Sequence, residues 1–283
     1  MFTFIAENKY GDQLELTHNP AYAISNISGF DPPDATINAT KNAGFDGTVY
    51  NSATMDARTV TITLAVNGPA ESNRLQLYRF FRSKDWVRLY YKTDTRDVYT
   101  DGYVQSFNVG FFDKKETVQI TVYCPRAYLQ QAGYVPNQVI DMSGPLFEFE
   151  FAIEEPGIPF SEAVTMQTID VINGGDLEAG VTVDIYITGA VTNPKIYNET
   201  TGDIMILNDS FQADDEITIC TIPGEKKITR LRSGTESSLV GKLSANSTWL
   251  KLAPGYNSVT VTADSGGENM VMVFDLINLF EGV

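Results

Sequence analysis

The second half of the sequence is a series of short strand-like segments separated by turns. From residue 145 onward, about ten segments rich in β-branched and aromatic residues alternate with turn sequences such as Asn173-Gly174-Gly175 and Pro254-Gly255. No stretch of this half shows the apolar spacing of three to four residues that marks a helix. Short strands at regular intervals are typical of proteins built from two packed sheets. The sequence therefore predicts a β-sandwich over residues 146–283.

Residues 38–52 form a long segment of turn-forming residues between two strand-like segments. Strand-like sequence precedes it at 35–38 and follows it at 58–66, while its centre is dense in Asn, Asp and Gly, which tolerate positive φ. Connections longer than about 12 to 15 residues are uncommon in compact domains, and they tend to be binding segments or disordered. Phe45, Val49 and Tyr50 argue against disorder, because burying such side chains is energetically favourable. The segment therefore predicts a long arm or hairpin tip that contacts another surface.

The rest of the first half combines one helix with several strands. Residues 71–82 predict a helix whose apolar face, formed by Leu75, Tyr78 and Phe81 or Arg82, covers a sheet. Strand-like segments follow at intervals typical of consecutive antiparallel strands, at residues 86–91, 98–100, 102–108 and 116–124. The first half is thus predicted to be an α+β domain with one helix and a long β-hairpin arm.

Pro125 ends the last strand of the first half, and the composition then shifts toward Gln, Gly, Pro and Asn. A chain of 283 residues is long enough for two domains of ordinary size. We predict an N-terminal domain over 1–130, a linker over 131–145 and a C-terminal β-sandwich domain over 146–283. The predicted fold class is mainly β.

The charge balance restricts the partners of this chain. Lys and Arg number 20 against 36 Asp and Glu, which gives a formal net charge of −16. Such a chain is repelled by phosphates and by anionic membranes, so we expect no specific nucleic-acid binding and no membrane association. No apolar run approaches the roughly 18 to 20 residues of a membrane span, and the first residues lack the pattern of a signal peptide. The sequence favours a soluble protein made in a cytoplasm.

No combination of residues predicts an active site. Cys124 and Cys220 lie outside any metal-ligand spacing and are interpreted as two buried small side chains, with an inter-domain disulfide as the alternative. The single histidine, His18, has no evident catalytic partner. The acidic runs at 154–155 and 214–216 lack the spacing of a calcium loop and are interpreted as solvated loop faces. We therefore expect no enzymatic activity, no cofactor and no metal.

Three aromatic residues of the second half have two interpretations. Tyr197, Trp249 and Tyr256 could form a platform on which sugar rings stack, as aromatic residues do in carbohydrate-binding β-sandwiches. The alternative is that they are core or rim residues, because nothing in the sequence places them on one face.

Several stretches, taken in order and with their spacing, resemble the distal tail proteins of phages with long, non-contractile tails, the siphophages. In the first half the resemblance lies at residues 27–33, 42–52, 74–81, 90–94, 96–99, 102–104 and 115–125. In the second half it is looser and lies at residues 169–176, 180–187, 252–257 and 278–283.

The resemblance implies a structural virion protein. In this family, a hexameric ring forms at the distal end of the tail, with one ring or stacked rings. The first domain contacts the tail tube above and holds the tail-tip or tail-associated-lysin protein below. The second domain, a galectin-like β-sandwich, points outward and anchors receptor-binding proteins or baseplate parts used in host adsorption. The protein is then expected in the virion after assembly in the host cytoplasm.

The arm suits this implied role, because a segment that crosses a subunit boundary can close a ring by head-to-tail contacts. An acidic channel would also let DNA pass through the ring by repulsion. The residues predicted for the inter-subunit arm are Asn42, Gly44, Phe45, Asp46, Gly47, Tyr50 and Asn51. The alternative function is a carbohydrate- or host-surface-binding module that acts through the C-terminal β-sandwich and its residues Tyr197, Trp249 and Tyr256.

Overall fold

A computed structural model of the chain describes residues 2–111, 115–133, 138–145, 161–163 and 166–283. The elements of the first part are β1 Thr3–Asn8, β2 Gln13–Glu15, β3 Tyr22–Ser28, β4 Ala35–Thr40, β5 Val49–Met55, β6 Arg58–Val66, α1 Ala70–Phe80, β7 Trp86–Lys92, β8 Asp97–Gly110, β9 Thr117–Cys124 and β10 Leu129–Gln131. The strands that follow are β11 Gln138–Asp141, β12 Ser143–Pro145, β13 Ser161–Ala163, β14 Met166–Asn173, β15 Ala179–Ile187, β16 Val191–Asn198, β17 Asp203–Ile206, β18 Ser210–Phe211, β19 Glu216–Cys220, β20 Lys227–Arg232, β21 Thr235–Ser238, β22 Lys251–Leu252, β23 Gly255–Ser265, β24 Met270–Leu276 and β25 Leu279–Phe280.

The chain divides into two compact units. The first contains residues 1–133 together with 279–283, and the second contains residues 134–278. The last five residues, which the sequence-based division placed in the second domain, thus belong to the first unit, where β25 pairs with β10. Residues 138–141, which that division placed in the linker, form β11 and pair with β24 of the second unit. The mainly β fold class is confirmed, since α1 is the one α-helix among the described residues.

The core of the first unit lies beneath one antiparallel sheet. Its strand order is β2-β1-β7-β8-β9-β6-β3, with β10 added beside β8. In β6 and β9 every second side chain is buried, which is the alternation expected of a sheet with one covered face. The buried side chains include Phe4, Val60, Ile62, Leu64, Leu77, Phe81, Val87, Leu89, Val118, Ile120 and Val122.

The predicted helix is present, and its predicted apolar face is partly correct. The helix extends from Ala70 to Phe80 and buries Leu77, and Phe81 at its C-cap is also buried. Tyr78, which the prediction placed against the sheet, is 37% exposed, and its ring packs edge-on against Phe107 of β8 at 4.8 Å between ring centres. Leu75, the other residue placed there, is 41% exposed. Residues four apart share a helix face, so Leu77, and not Leu75, is the residue buried together with Phe81.

The second unit is a β-sandwich. One sheet has the order β11-β24-β15-β19-β20-β21, and the other has the order β14-β23-β16-β17. Both sheets contribute alternating buried side chains to the core. These include Val181, Val183, Ile185, Ile196, Ile217, Ile219, Val259, Val261, Met272 and Phe274.

Three buried asparagines hold the short strand β22 and the residue after it in the second unit. The side-chain amides of Asn173, Asn198 and Asn257 donate to main-chain carbonyls within residues 251–253, at 2.9, 2.7 and 2.7 Å. Asn257 also accepts a hydrogen bond from the Ala253 N–H at 2.8 Å. Buried amides are stabilising only when their donors and acceptors are satisfied, and here main-chain groups satisfy them.

One acidic run differs from its interpretation as a solvated face. Asp215 is fully buried, while its neighbour Asp214 is exposed. The Asp215 carboxylate accepts hydrogen bonds from the Arg232 guanidinium and, at 2.9 Å, from the Gln212 N–H. A charge pair and a main-chain donor therefore offset the cost of burying this carboxylate. The run at 154–155 lies outside the described residues, as does the strand predicted over 146–153. Both cysteines are buried and free.

Candidate functional site

The candidate site is a two-stranded arm in the first unit. Strands β4 and β5 pair with each other and form a sheet of their own. Every residue from 34 to 56 is exposed, and we call this segment the arm. The two strands have six and seven residues, so each spans about 20 Å at the usual rise per residue. The long arm predicted from residues 38–52 is therefore present as a hairpin that pairs with no other described strand.

A β-bulge gives the arm one apolar face. The register runs from Ala35 opposite Met55 to Asn38 opposite Ser52, and it then shifts so that Ala39 lies opposite Tyr50. Asn51 is left out of the pairing, and its side-chain amide donates to the Thr40 hydroxyl at 2.6 Å. Directly paired residues share a sheet face, so this shift brings Tyr50 to the same face as the other large apolar residues. The apolar face of the arm consists of Ala35, Ile37, Ala39, Tyr50, Ala53 and Met55.

The opposite face of the arm is mostly polar. It contains two internal contacts: Thr36 donates to the Asp56 carboxylate at 2.6 Å, and Asn38 donates to the Ser52 hydroxyl at 3.2 Å. These hydrogen bonds help to fix the register of the two strands. The polar face consists of Thr36, Asn38, Thr40, Ser52 and Thr54, with Val49 at its end.

The apolar face is uncovered. Ile37 and Tyr50 are 64% and 65% exposed, and Phe45 in the turn is 49% exposed. An isolated two-stranded hairpin is at best marginally stable in water, so an arm of this composition gains stability when another surface covers it. Gly44 and Gly47 have φ angles of 120° and 107°, which is the backbone geometry that favours glycine in this turn. Every residue predicted for the inter-subunit arm is exposed.

Arg58 anchors the base of the arm. Although 97% of its surface is covered, its guanidinium donates to four main-chain carbonyls and to no carboxylate. Burial lowers the pKa of Arg58, because desolvation disfavours the charged form. The carbonyls satisfy the donors and attach three separate segments of the first unit to β6. They belong to Gly29, Asp31, Ala127 and Glu281 at 2.6, 2.7, 3.0 and 2.7 Å.

The sequence contained a signal for Arg58 that the strand prediction left unused. Arg58, Val60 and Ile62 occupy alternate positions of β6, so an arginine stands where the strand pattern requires an inward-facing side chain. A buried arginine needs several acceptors, which marks such a position as a structural junction. Beside it, a pocket of about 420 Å³ is lined by the loops on both sides of the arm, including Pro32, Pro33, Asp56 and Ala57.

The structure brings together two of the three aromatic residues predicted as a sugar platform. Tyr197 of β16 lies opposite Thr260 of β23, and Tyr256 precedes Thr260 by four residues in the same strand. Successive side chains of a strand point to opposite faces, and directly paired residues share a face, so both tyrosines lie on the same sheet face. They are about 13 Å apart along the strand direction. They are 38% and 70% exposed.

Trp249 lies elsewhere in the second unit. It is half-buried and lines a pocket of about 160 Å³ that neither tyrosine borders. The Lys226 ammonium lies 5.1 Å from the centre of the Trp249 ring, which is within the range of a cation–π contact. The three aromatic residues therefore do not form one platform.

The described residues include neither a cluster of His, Cys, Asp and Glu that could hold a metal ion nor a helix long and apolar enough to cross a membrane. Two family models match the chain in the order of its two units. The model for a phage tail protein RIFT-related domain matches residues 9–124, and the model for the C-terminal domain of a siphovirus-type tail component matches residues 174–275. Together they match more than half of the chain. The chain belongs to the siphophage distal tail protein family.

Solved structures of phage tail components share the fold of this distal tail protein. The crystal structure of the Dit protein of phage SPP1, described as a hub adsorption apparatus of phages that infect Gram-positive bacteria, matches with a TM-score of 0.65 and 15% identity over 99% of both chains. A chain of the phage P2 baseplate in its activated conformation with Ca matches with a TM-score of 0.52 and 15% identity over 100% of both chains. The same baseplate with Sr matches with a TM-score of 0.50 and 13% identity. No curated protein matches by sequence.

Membership of this family makes the chain a structural component of a siphophage tail and baseplate hub. The predicted family is thus confirmed, together with the β-sandwich of the second half. The roles of the arm residues, Tyr197, Trp249 and Tyr256 remain predictions.

Proposed function

We propose that this distal tail protein forms a hexameric ring at the distal end of the tail, and that the arm is its inter-subunit contact. In this proposal, the ring joins the tail tube to the tail-tip or tail-associated-lysin protein, and the second unit anchors receptor-binding or baseplate proteins. The protein acts as a scaffold without enzymatic activity and is assembled into the virion in the host cytoplasm. The observation that carries the proposal is the uncovered apolar face of the arm.

The energetics of the arm favour a contact with another chain. Covering Ile37, Tyr50 and Met55, which are 64%, 65% and 38% exposed, would contribute on the order of 3 kcal/mol per arm. A single contact of that strength does not hold two proteins together at low concentration, because association has its own entropic cost. Head-to-tail closure adds one such contact at every subunit boundary, so a ring gains stability that an open dimer lacks.

The net charge of −16 suits a ring through which DNA passes. Acidic surfaces repel phosphates, so the nucleic acid meets no binding site as it moves. The same charge opposes assembly, because like-charged subunits repel one another at low salt. The uncharged apolar face of the arm provides an attraction that does not depend on salt in this way.

The test is the mass of the purified full-length protein by light scattering coupled to size exclusion. We expect a hexamer or a pair of stacked hexamers, and we expect Tyr50→Glu to shift the mass toward the monomer. Thr54→Glu is the matched control, because it adds the same charge to the polar face of the same hairpin. Equal loss of assembly in both variants would show that charge, and not the apolar face, is responsible. A wild-type protein that stays monomeric at its highest soluble concentration, with an arm unprotected from hydrogen exchange, contradicts the proposal.

A second candidate function is favoured by the shared face of Tyr197 and Tyr256. Two exposed rings on one sheet face could stack on sugar rings of a host-surface glycan. We test this with the full-length protein by titration calorimetry against cell-wall polysaccharide fragments, comparing wild type with Tyr256→Ala. Binding that Tyr256→Ala weakens at least tenfold supports the candidate, and the absence of any heat of binding removes it.

A further inference from the structure

We infer that the arm of one copy binds an aromatic row on the first unit of the next copy. This aromatic row consists of Trp86, Tyr103 and Tyr123. The inference rests on the proposed ring and adds to it the surface that receives the arm. A head-to-tail contact joins two different patches of the same chain, so a chain that carries one uncovered patch must also carry its complement.

The pairing register of β7, β8 and β9 places the three rings of the row next to one another. Trp86 of β7 lies opposite Tyr103 of β8, and Tyr103 lies opposite Tyr123 of β9. Paired residues on adjacent strands share a face, so the three rings stand side by side across three strands. Tyr103 and Tyr123 are 49% and 45% exposed, and Trp86 is half-buried. Three strands span about 10 Å, which matches the width of a two-stranded hairpin with its side chains.

Charged groups beside the row are paired with one another. Toward one end of the strands, the Arg88 guanidinium lies 5.5 Å from the centre of the Trp86 ring and pairs with the Asp101 carboxylate at 2.7 and 3.0 Å, so the two charges offset each other. Just before Trp86, the Asp85 carboxylate pairs with the Lys9 ammonium at 3.0 Å. Across the neighbouring strands, the outward positions of β6 and β9 are neutral. They are Thr59, Thr61, Thr63, Ala65, Thr117, Gln119 and Thr121.

Neutrality decides which surface fits the arm. The apolar face of the arm has no charged residue, so a receiving surface with unpaired acids would lose their hydration without gaining a partner. The chain has a net charge of −16, which makes a neutral aromatic surface uncommon on it. Tyrosine and tryptophan are also the residues that most often dominate protein–protein contacts.

Three other exposed apolar residues of the first unit fit the arm less well. Leu75 and Tyr78 lie on α1 among the charged side chains of Glu71, Arg74 and Arg79, which a ligand there would have to displace or desolvate. Phe111, just after β8, is 55% exposed but offers one ring, whereas the row presents three rings side by side.

The test is cross-linking between two differently marked copies. Full-length Ile37→Cys and Tyr123→Cys proteins are mixed under conditions in which the wild type is oligomeric, and a short bis-maleimide linker is added. We expect a covalent dimer from the mixture and little from either variant alone. Cys124 and Cys220 are buried and should stay unreacted, which wild-type protein verifies.

Matched controls use the other face of the arm and the helix of the first unit. Thr54→Cys replaces Ile37→Cys on the donor, and Leu75→Cys, at a position of α1 that is 41% exposed, replaces Tyr123→Cys on the acceptor. We expect both control mixtures to give at least fivefold less dimer. A second measurement is the mass of Tyr103→Glu, which we expect to fall to that of a monomer while its circular dichroism stays that of the wild type.

The outcomes separate the two proposals. Rings that persist in Tyr103→Glu, with no preferred cross-link between Ile37→Cys and Tyr123→Cys, overturn the aromatic row as the acceptor and leave the ring intact. A protein that forms no oligomer removes both proposals. Cross-linking that is equal in the control mixtures also overturns the inference, because it shows random collision.

Discussion

The Arg58 guanidinium lies 2.6 Å from the carbonyl oxygen of Gly29 at the base of the arm. This contact links the strand that follows the arm to the loop that precedes it. The same guanidinium reaches the Glu281 carbonyl at 2.7 Å, so the end of the chain is attached at this point as well. The arm can therefore be fully exposed while both of its ends are fixed by buried hydrogen bonds.

We expect Arg58→Met to lower the free energy of unfolding of the first unit by about 3 kcal/mol or more, because four buried carbonyls lose their donors. The chain has two tryptophans, Trp86 in the first unit and Trp249 in the second. In a Trp249→Phe background, urea unfolding followed by fluorescence therefore reports the first unit. Arg79→Met, on the exposed side of α1, is the control and should change little. Similar losses in both variants would show that Arg58 is not a junction.

We expect Gly29→Ala to destabilise the first unit more than Gly11→Ala does, by about 2 kcal/mol or more. Both glycines have positive φ, at 94° and 83°, so each alanine has a similar backbone strain. A Cβ at Gly29 would lie 2.2 Å from the Thr59 carbonyl oxygen, whereas a Cβ at Gly11 would meet nothing within 4 Å. Urea unfolding of the two variants isolates the clash. Equal destabilisation would mean that the loop before the arm can move away from β6.

The features predicted correctly from the sequence are those that local pattern determines. Alternating side chains predict strands such as β6 and β9, and a run of turn residues predicts the arm. The helix also follows from local spacing, but its buried face depends on the sheet beneath it, so Phe81 was included in the predicted face and Leu77 was not. The face of the hairpin on which Tyr50 lies depends on a bulge whose register involves both strands.

Functional groupings that depend on distant pairing were not predicted. The aromatic row joins Trp86, Tyr103 and Tyr123, and only the order and register of β7, β8 and β9 place these rings side by side. The burial of Asp215 depends on Arg232, which comes from another strand. Because the sequence shows only the neighbouring acidic residues, the whole run was interpreted as solvated. Trp249 was grouped with two tyrosines by residue type alone, and the fold places it at a separate pocket.

We expect Cys124 to resist thiol reagents in the folded protein. Burial raises the pKa of Cys124 to about 11, so the reactive thiolate is scarce even at mildly alkaline pH. Ellman's reagent at pH 8 should modify Cys124 only after urea is added. Thr54→Cys supplies an exposed thiol on the arm as the reference, and it should react within the mixing time. Rapid modification of Cys124 without urea would contradict its burial.

We expect the Asp215–Arg232 pair to make the second unit less stable in acid. The Arg232 guanidinium is the main cause that holds the pKa of Asp215 below its usual value, and burial acts in the opposite direction. A carboxyl whose pKa is lower in the folded state than in the unfolded state binds more protons when unfolded. Its stabilisation is therefore fully present above the unfolded pKa of about 3.9 and is lost as the pH falls through the folded value.

The corresponding variant is Asp215→Asn, which we expect to cost about 2 to 4 kcal/mol at pH 7, because Arg232 loses its charged partner. Asp214→Asn is the matched control, since Asp214 is exposed and asparagine tolerates its positive φ of 67°. Unfolding in urea, followed through Trp249 in a Trp86→Phe background, gives the free energy from pH 7 to pH 3. The difference between wild type and Asp215→Asn should shrink as the pH falls below about 4, because the wild-type carboxyl then becomes protonated as well. A difference that stays constant over this range would mean that the pair contributes through packing alone and not through the charge of Asp215.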